Sequence, residues 1–543
     1  MLSYAHGAYE EPLLGDTIGH NLERTVARVP DAEALVSCHQ GLRYTYAEFN
    51  AAVDRLASGM LAAGLHKGDR VGVWGPNCAE WTVVQYATAK LGVILVNINP
   101  AYRTNELKYV LGQSGCRWLF SAREGKGSDF AEMVDHVRGA LPLLERAVFF
   151  TTAAWDELAA STISAGGVAA ALDALDFDEP INIQYTSGTT GFPKGATLSH
   201  HNIINNGYFV GGLVGYTDRD RVCIPVPLYH CFGMVMGNLA ATSRGACMVY
   251  PAESFEPAAT LAACAQERCT SLYGVPTMFI AELGQDDFAD YDLGSLRTGI
   301  MAGSPCPIEV MKRVMSDMGI SEMGIAFGMT ETSPVTTQVR RDDTLENRCA
   351  TVGQAGPHVE IKIVDPSTGR TLPRGEPGEF LARGYGVMRG YWQDPERTAE
   401  AIDSAHWMHT GDLATMDEHG YVRIVGRIKD MVIRGGENVY PREVEEFLYT
   451  HPGIADVQVI GVPDERYGEA LMAWIVPRAG AQLSEADVLE FCRGEIAHYK
   501  IPRYIKFVES FPMTVTGKVQ KYKMRELATQ ELGLDPAVAI ETV

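Results

Sequence analysis

No apolar run in the 543 residues approaches the roughly 18 that a membrane-spanning helix requires, so no transmembrane segment is expected. The chain has no excess of positive charge either. Its formal net charge of -22 argues against binding nucleic acid through a general field, since such binding needs many phosphates neutralised. Zinc-type cysteine spacing is missing: eleven cysteines lie scattered, and the closest pair, Cys264 and Cys269, forms neither a C-x2-C metal motif nor a redox motif. Buried, reduced thiols are the expectation. The amino terminus, MLSYAHGAYEEPLLG, has no basic stretch leading into an apolar one and carries acids where a mitochondrial presequence carries arginines. The final Glu541, Thr542 and Val543 are not a peroxisomal address. A cytoplasmic location is expected.

What is present is an ordinary globular composition, 46% hydrophobic and 21% charged, in a chain longer than one hydrophobic core supports. Short apolar runs such as Val71 to Trp74 and Gly92 to Ile98 alternate with stretches of helical period such as Ala79 to Leu91. That alternation predicts an α/β fold. The alanine-rich stretch Ala153 to Leu175 reads as a packed helix. Between two strand-like runs, Gly426 to Asp430 (GRIKD) carries charge where a core would not, which marks a domain boundary. Beyond it come a predicted helix at Glu443 to Tyr449, a strand at Ala455 to Val462 and a helix after Ser484, where Ser484 and Asp487 form a capping pattern. The expected division is 1–427 and 428–543, with no internal repeat.

After the strand-like run Ile181 to Tyr185 stands Thr186-Ser187-Gly188-Thr189-Thr190-Gly191-Phe192-Pro193-Lys194-Gly195. Small hydroxylated residues and glycines at this density let backbone N–H groups converge on an anion, while hydroxyls add donors and a lysine adds charge. It is not the Walker pattern, which needs glycine at Pro193 and Ser or Thr at Gly195. The full string YTSGTTGFPKG resembles the ATP-phosphate loop of the superfamily of acyl-CoA synthetases, peptide-synthetase adenylation domains and luciferases. With the motifs below in the same order, the resemblance spans essentially the whole chain and is greatest to medium-chain fatty acyl-CoA synthetases. It implies a large amino-terminal domain of several packed sheets and helices (1–427) and a small, mobile α+β carboxy-terminal domain (428–543).

The resemblance also implies roles. Ala326-Phe327-Gly328-Met329-Thr330-Glu331 is similar to the aromatic-G-x-T-E motif, in which the glutamate holds magnesium on the ATP phosphates, the threonine binds the α-phosphate and the ring stacks on adenine. A hard cation needs carboxylate oxygen, so Glu331 suits that role, joined by Thr190. Phe327 departs from the usual tyrosine; stacking survives and the phenol's hydrogen bond is lost. Asp412, in Thr410-Gly411-Asp412, matches the aspartate that accepts hydrogen bonds from both ribose hydroxyls, with Arg427 beside it. Ala302-Gly303-Ser304 corresponds to the backbone strand next to adenine, and Thr186, Ser187, Gly188, Thr189, Thr190 and Lys194 to the phosphate loop. Lys518, in Pro512-Met513-Thr514-Val515-Thr516-Gly517-Lys518, corresponds to the catalytic lysine that neutralises charge developing on the α-phosphate. Lys429 matches the hinge. Gly435 and Gly436 match the loop past which the pantetheine of coenzyme A threads. Between Lys500 and Arg525 there are seven Lys or Arg residues against one acid, Glu509, a basic island suited to the phosphates of CoA.

For the acid, Pro227-Leu228-Tyr229-His230-Cys231-Phe232-Gly233 resembles the motif whose histidine gates the acyl pocket, and Met234, Val235 and Met236 continue it. The expected lining is His230, Cys231, Phe232, Met234 and Val235, apolar and adaptable, with no acid to bind an α-amino group. The implied activity is ATP- and Mg2+-dependent ligation of a medium-chain fatty acid to CoA through acyl-AMP, by a chain that could assemble as a homodimer. Loading of a carrier protein, or a short, branched or aryl acid, are the alternatives.

Overall fold

The computed structural model describes residues 1–125, 127–186, 193–304, 306–434, 437–464, 466–514 and 518–534. Two large sheets dominate the first four hundred residues. In a seven-stranded sheet the order is Gly390–Tyr391, Lys194–Ser199, Pro180–Thr186, Ile94–Ile98, Arg70–Trp74, Trp118–Ser121 and Arg146–Phe149, parallel from Pro180–Thr186 onward. A nine-stranded sheet places Ser271–Gly274, Thr298–Ala302 and Glu322–Gly328 side by side and parallel, with Arg221–Cys223 and Cys247–Tyr250 continuing it. These strands read as near-continuous apolar runs because both faces are covered: all of Ile94–Ile98 and Thr298–Ala302 is buried.

The helix Ala79–Leu91 has the limits its sequence predicts and a different environment from an amphipathic surface helix. Every residue except Glu80 is buried, because the helix lies between the two sheets. Its polar side chains are consequently paired inside the core: Thr82 Oγ1 and Tyr250 Oη lie 2.7 Å apart, and Tyr86 Oη and Thr242 Oγ1 also 2.7 Å. Gly92, at φ 67°, ends it in the left-handed conformation that glycine adopts without a Cβ penalty.

The alanine-rich stretch differs from its reading as one helix. It forms two, Ala153–Ala159 and Ala165–Asp173. The break falls at Ser161 to Ser164, where the Ser161 hydroxyl donates back to the Glu157 carbonyl. Serines offer the backbone such local alternatives, and alanine propensity alone does not override them.

A third sheet, antiparallel, runs Tyr4–His6, Val359–Val364, Gly378–Gly384, Met408–Met416 and Val422–Arg427. The fourth consists entirely of later residues: Glu437–Val439, Val432–Arg434, Gly468–Pro477 and Ile454–Asp464, with Tyr504–Phe507 alongside Gly468–Pro477. It has a core of its own on each face. Val444, Leu448, Val459 and Leu471 pack on one side under Pro441–Tyr449 and Glu485–Cys492; Ile460, Met472, Trp474 and Met524 pack on the other under Lys521–Glu531. The predicted strand is longer than the run Ala455 to Val462, and the capping box of Ser484 and Asp487 forms as its spacing requires. No described helix is long and apolar enough to cross a membrane.

Candidate active site

The carboxyl ends of the parallel strands form one rim of the site, where α/β sheets present their loops. Thr298–Ala302 ends in Gly303, whose φ of +91° is open to glycine and strained for other residues. Beside it Glu322–Gly328 delivers Phe327 and Gly328. A Cβ on Gly328 would lie 1.7 Å from the Pro334 carbonyl oxygen, so only glycine lets the backbone pass there. The chain then folds into a single turn, Thr330–Thr332, that buries Thr330 and Glu331.

Glu331 is 5% exposed. Its Oε1 accepts a 2.9 Å hydrogen bond from the Tyr391 phenol and a 3.4 Å one from the Thr186 hydroxyl. Thr186 and Lys194 stand opposite each other in the hairpin Pro180–Thr186/Lys194–Ser199, and the Lys194 ammonium lies 4.9 Å over the Tyr391 ring. The two residues that flank the glycine-rich loop are therefore brought to Glu331 and to its partner Tyr391. Ser187, Gly188, Thr189 and Thr190 lie outside the described residues, as do Gly435 and Gly436.

Asp412 arrives from the third sheet. Cross-strand register sets it against Arg427, and Arg427 Nε lies 3.0 Å from Asp412 Oδ1. Asp412 is 5% exposed; burial pushes its carboxyl up, opposed by the charges of Arg427 and Lys518. Lys429 sits two residues beyond, in the turn Ile428–Asp430 that separates the third sheet from the fourth.

Lys518 comes from the small unit and ends among these groups. Its Cε is 3.9 Å from where a Cβ on Gly303 would stand. The ammonium is pushed down from its ordinary value by burial and by Arg427, while Cys231, Asp412 and Glu331 pull it back up. Its backbone is fixed by Thr514, whose hydroxyl accepts from the Lys518 N–H at 3.0 Å and whose N–H donates to the Lys518 carbonyl at 2.7 Å.

His230 completes the group. Nδ1 accepts the Phe232 N–H at 3.1 Å, which places the proton of a neutral ring on Nε2. Burial and the neighbouring Lys518 charge push the imidazole down to about 3, so it is neutral at working pH. Cys231 Sγ lies 3.7 Å from the Thr330 hydroxyl, and burial raises its thiol to about 11. From Phe232 to Leu239 the chain forms a π-helix. Phe232 lies 5.5 Å, ring to ring, from Tyr273 on the neighbouring sheet, and Met234 Sδ accepts from Asn97 and Gln184 at 3.1 and 3.2 Å. Phe327 packs edge-on against Phe380, centroids 5.4 Å apart.

Thus Thr186, Lys194, Glu331, Asp412, Arg427, His230, Cys231, Thr330, Gly303 and Lys518 are brought together from six separated segments. Tyr391 is a site residue that sequence reasoning missed. It has no local signal, being a lone tyrosine between Gly390 and Trp392, and reaches Glu331 only because its strand pairs with Lys194–Ser199. The basic island needs correction. Five of its seven cations pair with carboxylates outside the segment: Lys500 with Glu443, Arg503 with Asp464, Lys506 with Glu531, Lys521 with Glu445 and Arg525 with Glu469. Lys518 lies near Asp412 and Glu331, and most of the counted surplus is compensated by these pairs. Among the described residues one thiol cluster also forms, Cys223, Cys264 and Cys269, with all Sγ atoms within 4.8 Å. The Cys269 N–H donates to the Cys264 carbonyl with Arg268 at φ 50°, a Schellman helix end, whose usual apolar contact these thiols supply. All eleven cysteines are free and ten are buried.

The arrangement has counterparts. A family model described as AMP-binding enzyme matches residues 22–392, and a second, AMP-binding enzyme C-terminal domain, matches residues 443–518. The chain belongs to the AMP-binding enzyme family. Among relatives of this AMP-binding enzyme, the zebrafish (Danio rerio) protein named medium-chain acyl-CoA ligase ACSF2, mitochondrial, is 46% identical, covering 98% of this chain and 91% of the relative. The putative acyl-CoA synthetase YngI of Bacillus subtilis is also 46% identical, over 96% of this chain and 99% of the relative. The crystal structure of ATP-bound MatB from Rhodopseudomonas palustris superposes with a TM-score of 0.84 at 30% identity, covering 95% of this chain and 99% of that one.

Proposed function

We propose that this AMP-binding enzyme is an ATP-dependent carboxylic acid:CoA ligase whose acid is a medium-chain fatty acid. One observation carries the reading: a buried carboxylate paired with an arginine (Asp412, Arg427), a second buried carboxylate beside the glycine-rich loop (Glu331), a neutral histidine (His230) and a lysine from the small unit (Lys518) meet at one place. In the first half-reaction the acid's carboxylate attacks the α-phosphorus of ATP, pyrophosphate leaves, and acyl-AMP forms. In the second the CoA thiol attacks the acyl carbonyl and AMP leaves.

The side chains divide this work. Asp412, an acceptor with two oxygens, suits the vicinal ribose hydroxyls, with Arg427 holding its orientation. Phe327, T-shaped to Phe380, supplies an aromatic ring that suits stacking on a purine. Thr186 and Lys194 anchor the phosphate loop, and the Thr330 hydroxyl serves the α-phosphate. Lys518 stabilises the charge that builds there as pyrophosphate departs. Glu331 fits Mg2+, because a buried carboxylate already oriented by the Tyr391 and Thr186 hydroxyls offers hard oxygen to a hard cation. Bound there, the ion supplies neutralisation of the polyphosphate.

The small unit is taken as residues 428–543, turning at Lys429, with Gly435 and Gly436 lining the CoA path. Neutral His230 gates the acyl chain, and Cys231, Phe232, Met234 and Val235 begin its apolar surroundings, which Tyr273, Val275 and Ile300 share. The names of the relatives support a medium chain. The deciding experiment measures acid-dependent pyrophosphate–ATP exchange and acyl-CoA formation over straight acids of graded length, with branched and aryl acids alongside. Expected is a rise in kcat/KM of about fourfold per methylene, from ~0.8 kcal/mol each, ending in the medium range. Acyl-AMP that accumulates unchanged with CoA present would overturn the ligase reading in favour of a carrier protein. A preference for aryl acids would overturn the substrate alone.

A further inference from the structure

The helix Ile308–Asp317 begins five residues after Gly303, and its N-cap, Pro307, makes no side-chain hydrogen bond to the first turn. Helix starts leave backbone N–H groups unsatisfied and favour a negative charge. Here the acceptor comes from the small unit: the Ile308 N–H donates to Glu446 Oε2 at 3.3 Å. Glu446 Oε1 lies 3.6 Å from Arg442 Nε, one turn earlier on the helix Pro441–Tyr449. Both side chains are largely enclosed, 24% and 17% exposed.

The next residue on that helix serves a different partner. Glu445 Oε1 accepts the Val459 N–H at 2.8 Å and the Lys521 ammonium at 2.5 Å, and Lys521 also donates to the Val459 carbonyl at 3.1 Å. Lys521 is three residues beyond Lys518. Two adjacent glutamates on one helix therefore grip the two things that must be aligned. Glu446 holds the segment that continues from Ala302-Gly303-Ser304, and Glu445 holds the segment that carries Lys518. The circuit closes at Gly303, where Lys518 Cε approaches.

We propose that Glu446 is a positioning residue of the adenylation half-reaction, capping the helix Ile308–Asp317 across the boundary between the units and thereby seating Lys518 in the nucleotide site. The proposal rests on the ligase reading. It requires no contact of Glu446 with a substrate, and the small unit's own fold does not depend on it, since the two apolar faces of the fourth sheet are filled by other residues.

The test uses the full chain with ATP, Mg2+ and the best acid of the panel. Glu446→Ala is expected to lower acid-dependent pyrophosphate–ATP exchange about tenfold, the order of effect of a lost helix cap. Thioester formation from supplied acyl-adenylate and CoA should stay within about twofold. Glu446→Gln, which keeps an acceptor oxygen, should recover exchange to within about threefold. In a Lys518→Ala background Glu446→Ala should add less than about twofold, since the seating it provides then has nothing to seat. Should Glu446→Ala not fold, Arg442→Met, which removes only the partner of Glu446, is expected to lower exchange a few-fold and spare the thioester step. Equal losses in both half-reactions, full additivity with Lys518→Ala, or undiminished exchange in the Glu446 and Arg442 variants would overturn the positioning role. Wild-type protein without acid-dependent exchange would overturn the ligase reading, and this role with it.

Discussion

The large and small units contribute to the site in different ways. Asp412 and Glu331 are held by their own surroundings: a strand register sets Asp412 against Arg427, and a short turn, a glycine that admits no side chain and a tyrosine on an adjacent strand hold Glu331. Lys518 is held inside the small unit by its paired hydrogen bonds with Thr514 and by the ion pair of the nearby Lys521 with Glu445, and that unit reaches the large one through the helix cap at Glu446. The first kind of placement is internal to the large unit. The second includes a contact across the boundary between units, a single hydrogen bond of modest strength.

The sharpest way to test that contrast is Lys518→Ala. Loss of one preorganised charge is expected to cost about 10²–10³-fold in adenylation, ~2.7–4 kcal/mol. Thioester formation from supplied acyl-adenylate should remain within a few-fold. Equal losses would mean that Lys518 is as permanent a part of the site as Asp412.

A next effect separates the units by stability. Asp456 lies in the small unit, and burial raises its carboxyl from 3.8 to about 6, despite bonds from the Tyr449 phenol and the Val457 N–H. The folded chain therefore holds this proton more tightly than the unfolded one. The associated stability is fully present below about pH 4 and is lost as pH rises through about 6, by up to about 3 kcal/mol. Asp456→Asn keeps the acceptor oxygen and removes the charge, so it should protect the amides of Val457 to Val462 against hydrogen exchange at pH 7.5 and do little at pH 4. A gain of the same size in the large unit's strands would show the two to be one cooperative block.

Within the large unit, Tyr391→Phe removes the phenol that orients Glu331. A hydrogen bond to a charged group is worth about 1.5 kcal/mol, so the KM for MgATP should rise about tenfold with the adenylate step otherwise intact. An unchanged KM would mean that Thr186 and the surrounding turn hold Glu331 without it. The smallest effect is expected from Phe327→Tyr, which keeps the ring and adds a hydroxyl at a half-buried edge; adenylation within about twofold of the parent would be consistent with stacking alone.

The site motifs were legible through their resemblance to a known family. Its chemistry restricts the glycine-rich loop and the positions of Glu331, Asp412 and Lys518 to particular residue types. The strand and helix limits near Val71, Ala79 and Ile181 were legible because periodicity and glycines mark them. What escaped reading was set by tertiary partners. Ala79–Leu91 carries a helical pattern that does not announce a second sheet against its polar side, and Tyr391 acquires meaning only through strand pairing. The cations between Lys500 and Arg525 look unopposed in the sequence because the opposing acids lie as much as 76 residues away, as Glu445 does from Lys521. The third thiol beside Cys264 and Cys269 comes from a neighbouring strand, which no spacing rule covers.

The π-helix Phe232–Leu239 has one more consequence. A π turn accommodates a residue beyond the α-helical repeat, and each residue of an α-helix advances the chain by about 100° around its axis. Deleting a single position there while restoring α geometry would swing Phe232 and Met234 away from Tyr273 and Gln184 without altering the helix that follows. On the acyl lining proposed for Phe232 and Met234, a change of one residue in length here is therefore expected to redirect that lining as effectively as a change of side chain.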